Sequence, residues 1–189
     1  MIILIHGIGV SDPNESIGKL TQHLKDSFMF TYGWRIFSVL WHNKKDAKRL
    51  KKLIKKTSGS ITVIGHSNGC AITNIAAKKG AKIDLFICIN PALKCKTIFP
   101  ASIKNILVIH TKHDVATRAA RFFDKVPFIQ LIIPNSWGAM GAKGYKGSDS
   151  RVVNWNMSDM LDGHSDFATD KNLDVLMPMI NEHIKKLVK

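Results

Sequence analysis

The sequence predicts an α/β protein, built as one mostly parallel sheet with helices on both faces. Short apolar runs rich in Ile and Val alternate with longer stretches of helical period, as they do when strands are buried on both faces and joined by helical crossovers. The chain has 189 residues, of which 45% are hydrophobic, enough to close one buried core without dividing it. Residues 1–189 are therefore expected to form a single domain.

Taken in order, the expected strands are IILIH (2–6), IFSVLW (36–41), ITVIG (61–65), IDLFICI (83–89), ILVIH (106–110) and FIQLII (128–133). A first helix is expected over 15–30, with Ile17, Leu20, Leu24 and Phe28 on one face, and a strongly basic one follows near 43–56. A third starts after the strand at 61–65 and closes at Gly80, since glycine readily ends a helix. ATRAARFF forms a short helix. Residues 135–150 are rich in glycine and poor in periodicity, so they read as a loop with positive-φ positions. RVVNWN forms a further short strand. The chain ends in an amphipathic helix carrying Leu173, Leu176, Ile180, Ile184 and Leu187, which Pro178 should kink or begin.

Charged residues make up 22% of the chain, with no repeat or low-complexity tract, which argues against a disordered or solenoid protein. The net charge is +14 and the pI about 9.8, so acidic partners come into view. The densest run is NKKDAKRLKKLIKK (43–56), where Ala47, Leu50, Leu53 and Ile54 supply an apolar stripe. A solvated helix face accounts for it; contact with phosphate, nucleic acid or an anionic surface through residues 44–56 is the alternative. Aromatics are not interleaved with these charges, which weighs against single-stranded nucleic acid. The start MIILIHGIGV lacks a basic leader and its apolar run is too short for a span, so a cytoplasmic location is expected. Cys70, Cys88 and Cys95 form no CxxC pair and read as reduced thiols.

The chemistry gathers around ITVIGHSNGC (61–70). A chain that swings from strand to helix while pushing one hydroxyl outward needs small residues on either side, the G-x-S-x-G elbow pattern. Ser67 stands there, just past the carboxyl end of a strand, where reactive groups of such sheets collect. Asp114 follows ILVIH in the string HTKHD, and His164 lies in the later loop LDGHSDF. Serine needs a base within hydrogen-bond reach, imidazole titrates near working pH, and a buried carboxylate orients it. His110 and His113 compete for the base. Asp84, Asp162 and Asp166 compete for the acid, although Asp84 heads a strand at the wrong end. His110, His113 and Asp114 have a spacing that could suit a metal, but no second cluster of ligands accompanies them, so neither metal nor cofactor is expected.

On the residues LIHGIG (4–9), GHSNG (65–69), HTKHD (110–114) and GHSDF (163–167), the chain resembles the α/β-hydrolase superfamily, in a small, lidless, esterase- or lipase-like form. It starts at the HG strand, without the usual preceding antiparallel strands, and has no segment long enough for a cap domain, so a minimal core is expected. The resemblance implies Ser67 as nucleophile, His164 as base and Asp114 as orienting acid. It also implies an oxyanion hole from the backbone N–H groups of Asn68 and Ile8. His6 and His66, which flank the motifs, would then pack and hydrogen-bond around the elbow. Trp137 and Tyr145, with Trp155 near them in sequence, are core or rim residues, or a wall for an apolar acyl or aryl group.

The reaction expected is hydrolysis of a small or lipid-like carboxylic ester, with thioester or amide as variants, through an acyl-enzyme on Ser67. An acyltransferase on the same residues is the neighbouring alternative. The alternative from another class is a non-catalytic hydrolase-fold protein docking to an anionic partner through the basic helix.

Overall fold

The computed structural model describes residues 1–8, 12–33, 39–123 and 137–187. Its centre is a six-stranded sheet of β1 (Ile2–Ile5), β2 (Ser27–Phe30), β3 (Thr62–His66), β4 (Ile83–Ile89), β5 (Ile103–His110) and β6 (Val152–Asn156), in the order β2-β1-β3-β4-β5-β6. Every pair is parallel. In the central strands both faces are buried, which is why these segments read as continuous apolar runs.

Successive residues feed opposite layers. Ile3, Ile5, Val63, Phe86, Cys88 and Val108 pack with α1 (Val39–Lys56) and α2 (Asn68–Lys78). Leu4, Ile64, Leu85, Ile87, Leu107 and Ile109 pack with a 3-10 segment at Ile17–His23 and with the C-terminal helix. Two shorter helices follow β5, α3 (Val115–Phe123) and α4 (Met140–Lys143), and the chain closes with α5 (Asp170–Leu187). Among the described residues no helix is long and apolar enough to cross a membrane.

Several expectations are corrected. Instead of one helix over 15–30 there is the 3-10 segment and then β2. Ile17, Leu20 and Leu24 are buried as the helical pattern requires, but Asp26 takes φ +54 and turns the chain, so Ser27–Phe30 pairs in register with β1 and Phe28 points outward, 48% exposed. Residues 39–41, expected to finish a strand, open α1; 36–38 lie outside the described residues, as does the strand expected at 128–133. Pro178 neither begins nor ends α5 but lies inside it, on an exposed turn where a missing N–H is tolerated more easily.

Near the site, residues 140–143, expected within a loop, form the single helical turn α4, while the glycine positions follow the sequence. Gly80 takes φ +89 just past α2 and Gly144 takes φ +68 in the glycine-rich loop. β6 forms an exposed edge. Cys70 and Cys88 are buried, and no disulfide joins the three cysteines.

Candidate active site

The turn from β3 into α2 is crowded enough to dictate its own sequence. A Cβ on Gly69 would run into the carbonyl oxygen of Ile5, and one on Gly65 would lie 3.0 Å from the Cys70 nitrogen. Between them Ser67 adopts φ +52, a region an L-residue occupies only under strain. Neighbouring backbone holds it there. Its N–H donates to the Ile89 carbonyl at 3.1 Å, and its carbonyl accepts from Cys70 and Ala92 at 3.1 and 3.2 Å. Its side chain is partly exposed.

Asp114 follows β5 and is fully buried. Its Oδ1 accepts the Thr117 N–H at 2.9 Å and lies 2.9 Å from His164 Nδ1. The second distance is that of a hydrogen bond, but the ring N–H is not aligned along it, and Nδ1 and Asp114 Oδ2 have no other hydrogen-bond partner. Such pairs commonly tighten when substrate arrives. Burial would raise the Asp114 carboxyl, but the adjoining His164 ring and the Thr117 contacts outweigh it and hold the group below the ordinary carboxylate range.

The acid loop and the histidine loop are tied together. Thr111 Oγ1 donates to the Leu161 carbonyl at 2.6 Å, and the Lys112 N–H donates to Ser158 Oγ at 2.8 Å. The Thr111 N–H reaches the Gly141 carbonyl at 3.0 Å. Gly141 has no room for a side chain, because a Cβ there would run into Asp114 Oδ2.

His164 is also held from behind. Its carbonyl accepts from Asn90 Nδ2 at 2.8 Å and from His66 Nε2 at 3.0 Å. A carbonyl can only accept, so the His66 proton sits on Nε2. The two imidazoles pack with centroids 4.7 Å apart. Burial, then the neighbouring His164, pushes His66 down to about 3, so it stays neutral.

Two of the competing carboxylates are engaged elsewhere. Asp166 Oδ2 accepts the Asp162 N–H and Asn172 Nδ2, which closes the histidine loop, and the Asp162 side chain is exposed. Asp84 pairs with Lys104 at the opposite end of the sheet. His110 lies against Gly144, where an added Cβ would run into its ring. Among the described residues, no three His, Cys, Asp or Glu side chains gather as a metal site.

Beside Ser67 runs the His6–Gly7–Ile8 segment, so close that a Cβ on Gly7 would lie 3.0 Å from Ser67 Cβ. Asn68 begins α2, where backbone N–H groups have no partner within the helix. Its side chain joins both walls. Oδ1 accepts from Asn43 at 2.8 Å and Trp137 Nε1 at 3.0 Å, while Nδ2 donates to Asn43 Oδ1 at 3.0 Å and the Tyr32 hydroxyl at 3.2 Å. Tyr32 in turn donates to the His6 carbonyl at 2.9 Å and stacks on the His6 ring at 4.2 Å.

Trp137 is thus fixed next to the elbow. Tyr145 is placed differently: its hydroxyl accepts the Asp149 N–H within its own loop, and its ring packs against Phe99 in the segment between β4 and β5. Asn90, Tyr32 and Asn43 carry no motif, and Thr111 lies within HTKHD without being singled out by it. The only sequence signal is Asn90-Pro91 directly after a buried strand, a turn dipeptide.

Neither a protein-family model nor a curated protein sequence matches the chain. Solved structures do. A YdeN-like hydrolase from Pectobacterium atrosepticum superposes with a TM-score of 0.63 at 13% identity, covering 100% of this chain and 92% of its own. A serine hydrolase without lid from Xanthomonas campestris gives 0.62 at 12% identity, with 99% and 82% covered. An esterase from Pyrococcus furiosus gives 0.59 at 14%, with 100% and 82% covered. The chain has the α/β-hydrolase fold.

Proposed function

We propose that the protein is a serine hydrolase that cleaves a carboxylic ester or thioester through an acyl-enzyme on Ser67. The observation that carries this reading is the positive-φ Ser67 at the β3–α2 elbow together with a buried Asp114 set 2.9 Å from His164. The esterase and hydrolase character of the similar structures supports the substrate class.

In the reaction, Ser67 Oγ attacks the acyl carbon and its proton passes to His164 Nε2, the nitrogen that does not face Asp114. The oxyanion is stabilised by the Asn68 and Ile8 N–H groups and by the favourable end of the α2 dipole. The carbon–oxygen or carbon–sulfur bond then breaks, and the leaving group takes the proton from His164. Water gives a proton to His164, attacks the acyl-enzyme and releases the acid, and the proton returns to Ser67. Asp114 keeps the ring oriented and stabilises its cationic form throughout. Trp137, held by Asn68, walls the acyl side; the loop contacts of Tyr145 leave it a supporting place at the rim.

The test is labelling of wild type and Ser67→Ala with a fluorophosphonate, read by intact mass. One adduct on wild type, absent from Ser67→Ala, is expected. No adduct on folded wild type would refute the reading.

A further inference from the structure

We propose that the exposed face of α1, with the lysine-lined groove it leads into, binds the phosphate backbone of duplex nucleic acid without regard to base sequence. This rests on charge and shape and not on the reaction at Ser67. The 18 residues of α1 contain eight Lys and Arg and a single acid, a surplus of seven in a chain whose net charge is +14. Half of the protein's net charge therefore lies on one helix.

The apolar side chains Ala47, Leu50 and Ile54 are spent in the core, so the described outer face is basic, with Lys45, Lys48, Lys52, Lys55 and Lys56 exposed. The one acid does not neutralise it. Asp46 is buried and paired with Arg49 at 2.7 Å, and that guanidinium lies 5.2 Å over the Phe30 ring. At its C-terminal end α1 borders a groove of about 920 Å³ at the amino ends of β3, β4 and β5, to which Lys51, Lys55, Lys82 and Lys104 contribute. Asp84, the acid among its lining residues, is already engaged by Lys104 at 2.6 Å and by the Ile61 N–H.

At 1.5 Å per residue the helix offers a charged stripe about 27 Å long, matching about eight base pairs of duplex. Lysines are point charges suited to phosphate oxygens. Over residues 42–56 of α1 and in the groove lining, no exposed large apolar side chain is present. That stretch offers nothing for insertion into a membrane and no aromatic platform for stacking single-stranded bases. The groove lies at the opposite end of the sheet from Ser67, so a bound duplex leaves the elbow uncovered.

Fluorescence anisotropy with a labelled duplex of about 20 base pairs, titrated between about 50 and 200 mM salt, tests this. Wild type and Ser67→Ala should bind alike, with a log–log salt slope of about −4 to −6. Lys48→Glu/Lys52→Glu/Lys55→Glu should weaken binding at least about 30-fold and flatten the slope by about three. The matched exposed triple Lys25→Glu/Lys171→Glu/Lys185→Glu should change affinity less than about threefold. Equal losses in both triples would reduce the effect to bulk charge and overturn the proposal. So would absence of saturable binding, or tighter binding to phosphatidylserine vesicles than to duplex. If the first triple does not fold, Lys52→Gln replaces it: a slope change of about one supports the proposal, and none overturns it.

Discussion

Asp114 is pulled in two directions: burial favours its neutral form, and the His164 ring and Thr117 contacts favour the charged one. The second pull prevails, so the residue works as a fixed negative group behind the imidazole. Asp114→Asn keeps the shape and removes the charge; kcat on an activated ester should fall by about 10⁴-fold with KM little changed, as measured by steady-state kinetics. A structural role alone would move the melting temperature instead. Gly69 makes a different point, because its importance is the absence of a side chain. Gly69→Ala drives a Cβ into the Ile5 carbonyl and should cost about 1–3 kcal/mol in chemical denaturation, whereas Gly33→Ala, with open space around it, should cost far less.

At the scale of elements, the site depends on strand ends being tied to the loop that carries His164. Asn90, at the end of β4 with φ +43, supplies one such tie. Asn90→Gly relieves the backbone and removes the amide; kcat should drop by about tenfold or more through misplacement of the imidazole, while urea unfolding shows little loss. Equal falls in kcat and stability would assign Asn90 to the scaffold alone. The same elements show what sequence can convey. β1, β3, β4 and β5 were readable because burial on both faces makes each a continuous apolar run, and the elbow because crowding at Gly65 and Gly69 leaves a pattern. β2 was not: Ser27–Phe30 is a short edge strand whose Phe28 continues the helical spacing of Ile17, Leu20 and Leu24. Residues 39–41 belong to an apolar run but open α1. Asn90 and the Asn43–Asn68–Tyr32 amide network escaped for another reason, since contacts across 25 to 74 positions of chain have no local signature.

For the whole molecule, acid is the condition to watch. His66 is buried with its pKa near 3, and burial lowers His6 and His110 as well. In the unfolded chain such groups take up a proton near pH 6.5. Between about 3 and 6.5 the unfolded chain thus binds more protons than the folded one, and stability falls as pH falls, by about 1.4 kcal/mol per pH unit for His66 alone. Asp114 adds to this at lower pH, where protonation removes its pairing with His164. Urea midpoints should be lower at about pH 5 than at about pH 7.5, and His66→Gln should shrink the difference by removing one linked proton. A pH-independent midpoint would refute the assignment.

The amide of Asn68 has both oxygen lone pairs and both protons committed to Asn43, Tyr32 and Trp137, and the next residue is Gly69. Asparagine followed by glycine is chemically fragile, because the next backbone nitrogen can attack the side-chain amide, expel ammonia and leave aspartate or isoaspartate after hydrolysis. In the folded elbow that nitrogen lies within α2 and the amide is pinned, so the attack is withheld. Each opening of the turn removes the protection. The product is a carboxylate with no N–H to offer Tyr32 or Asn43, and its charge would lie beside the Asn68 N–H proposed to stabilise an oxyanion. Deamidation at this position is therefore set by how seldom the elbow unfolds, and damage there is not reversed by refolding.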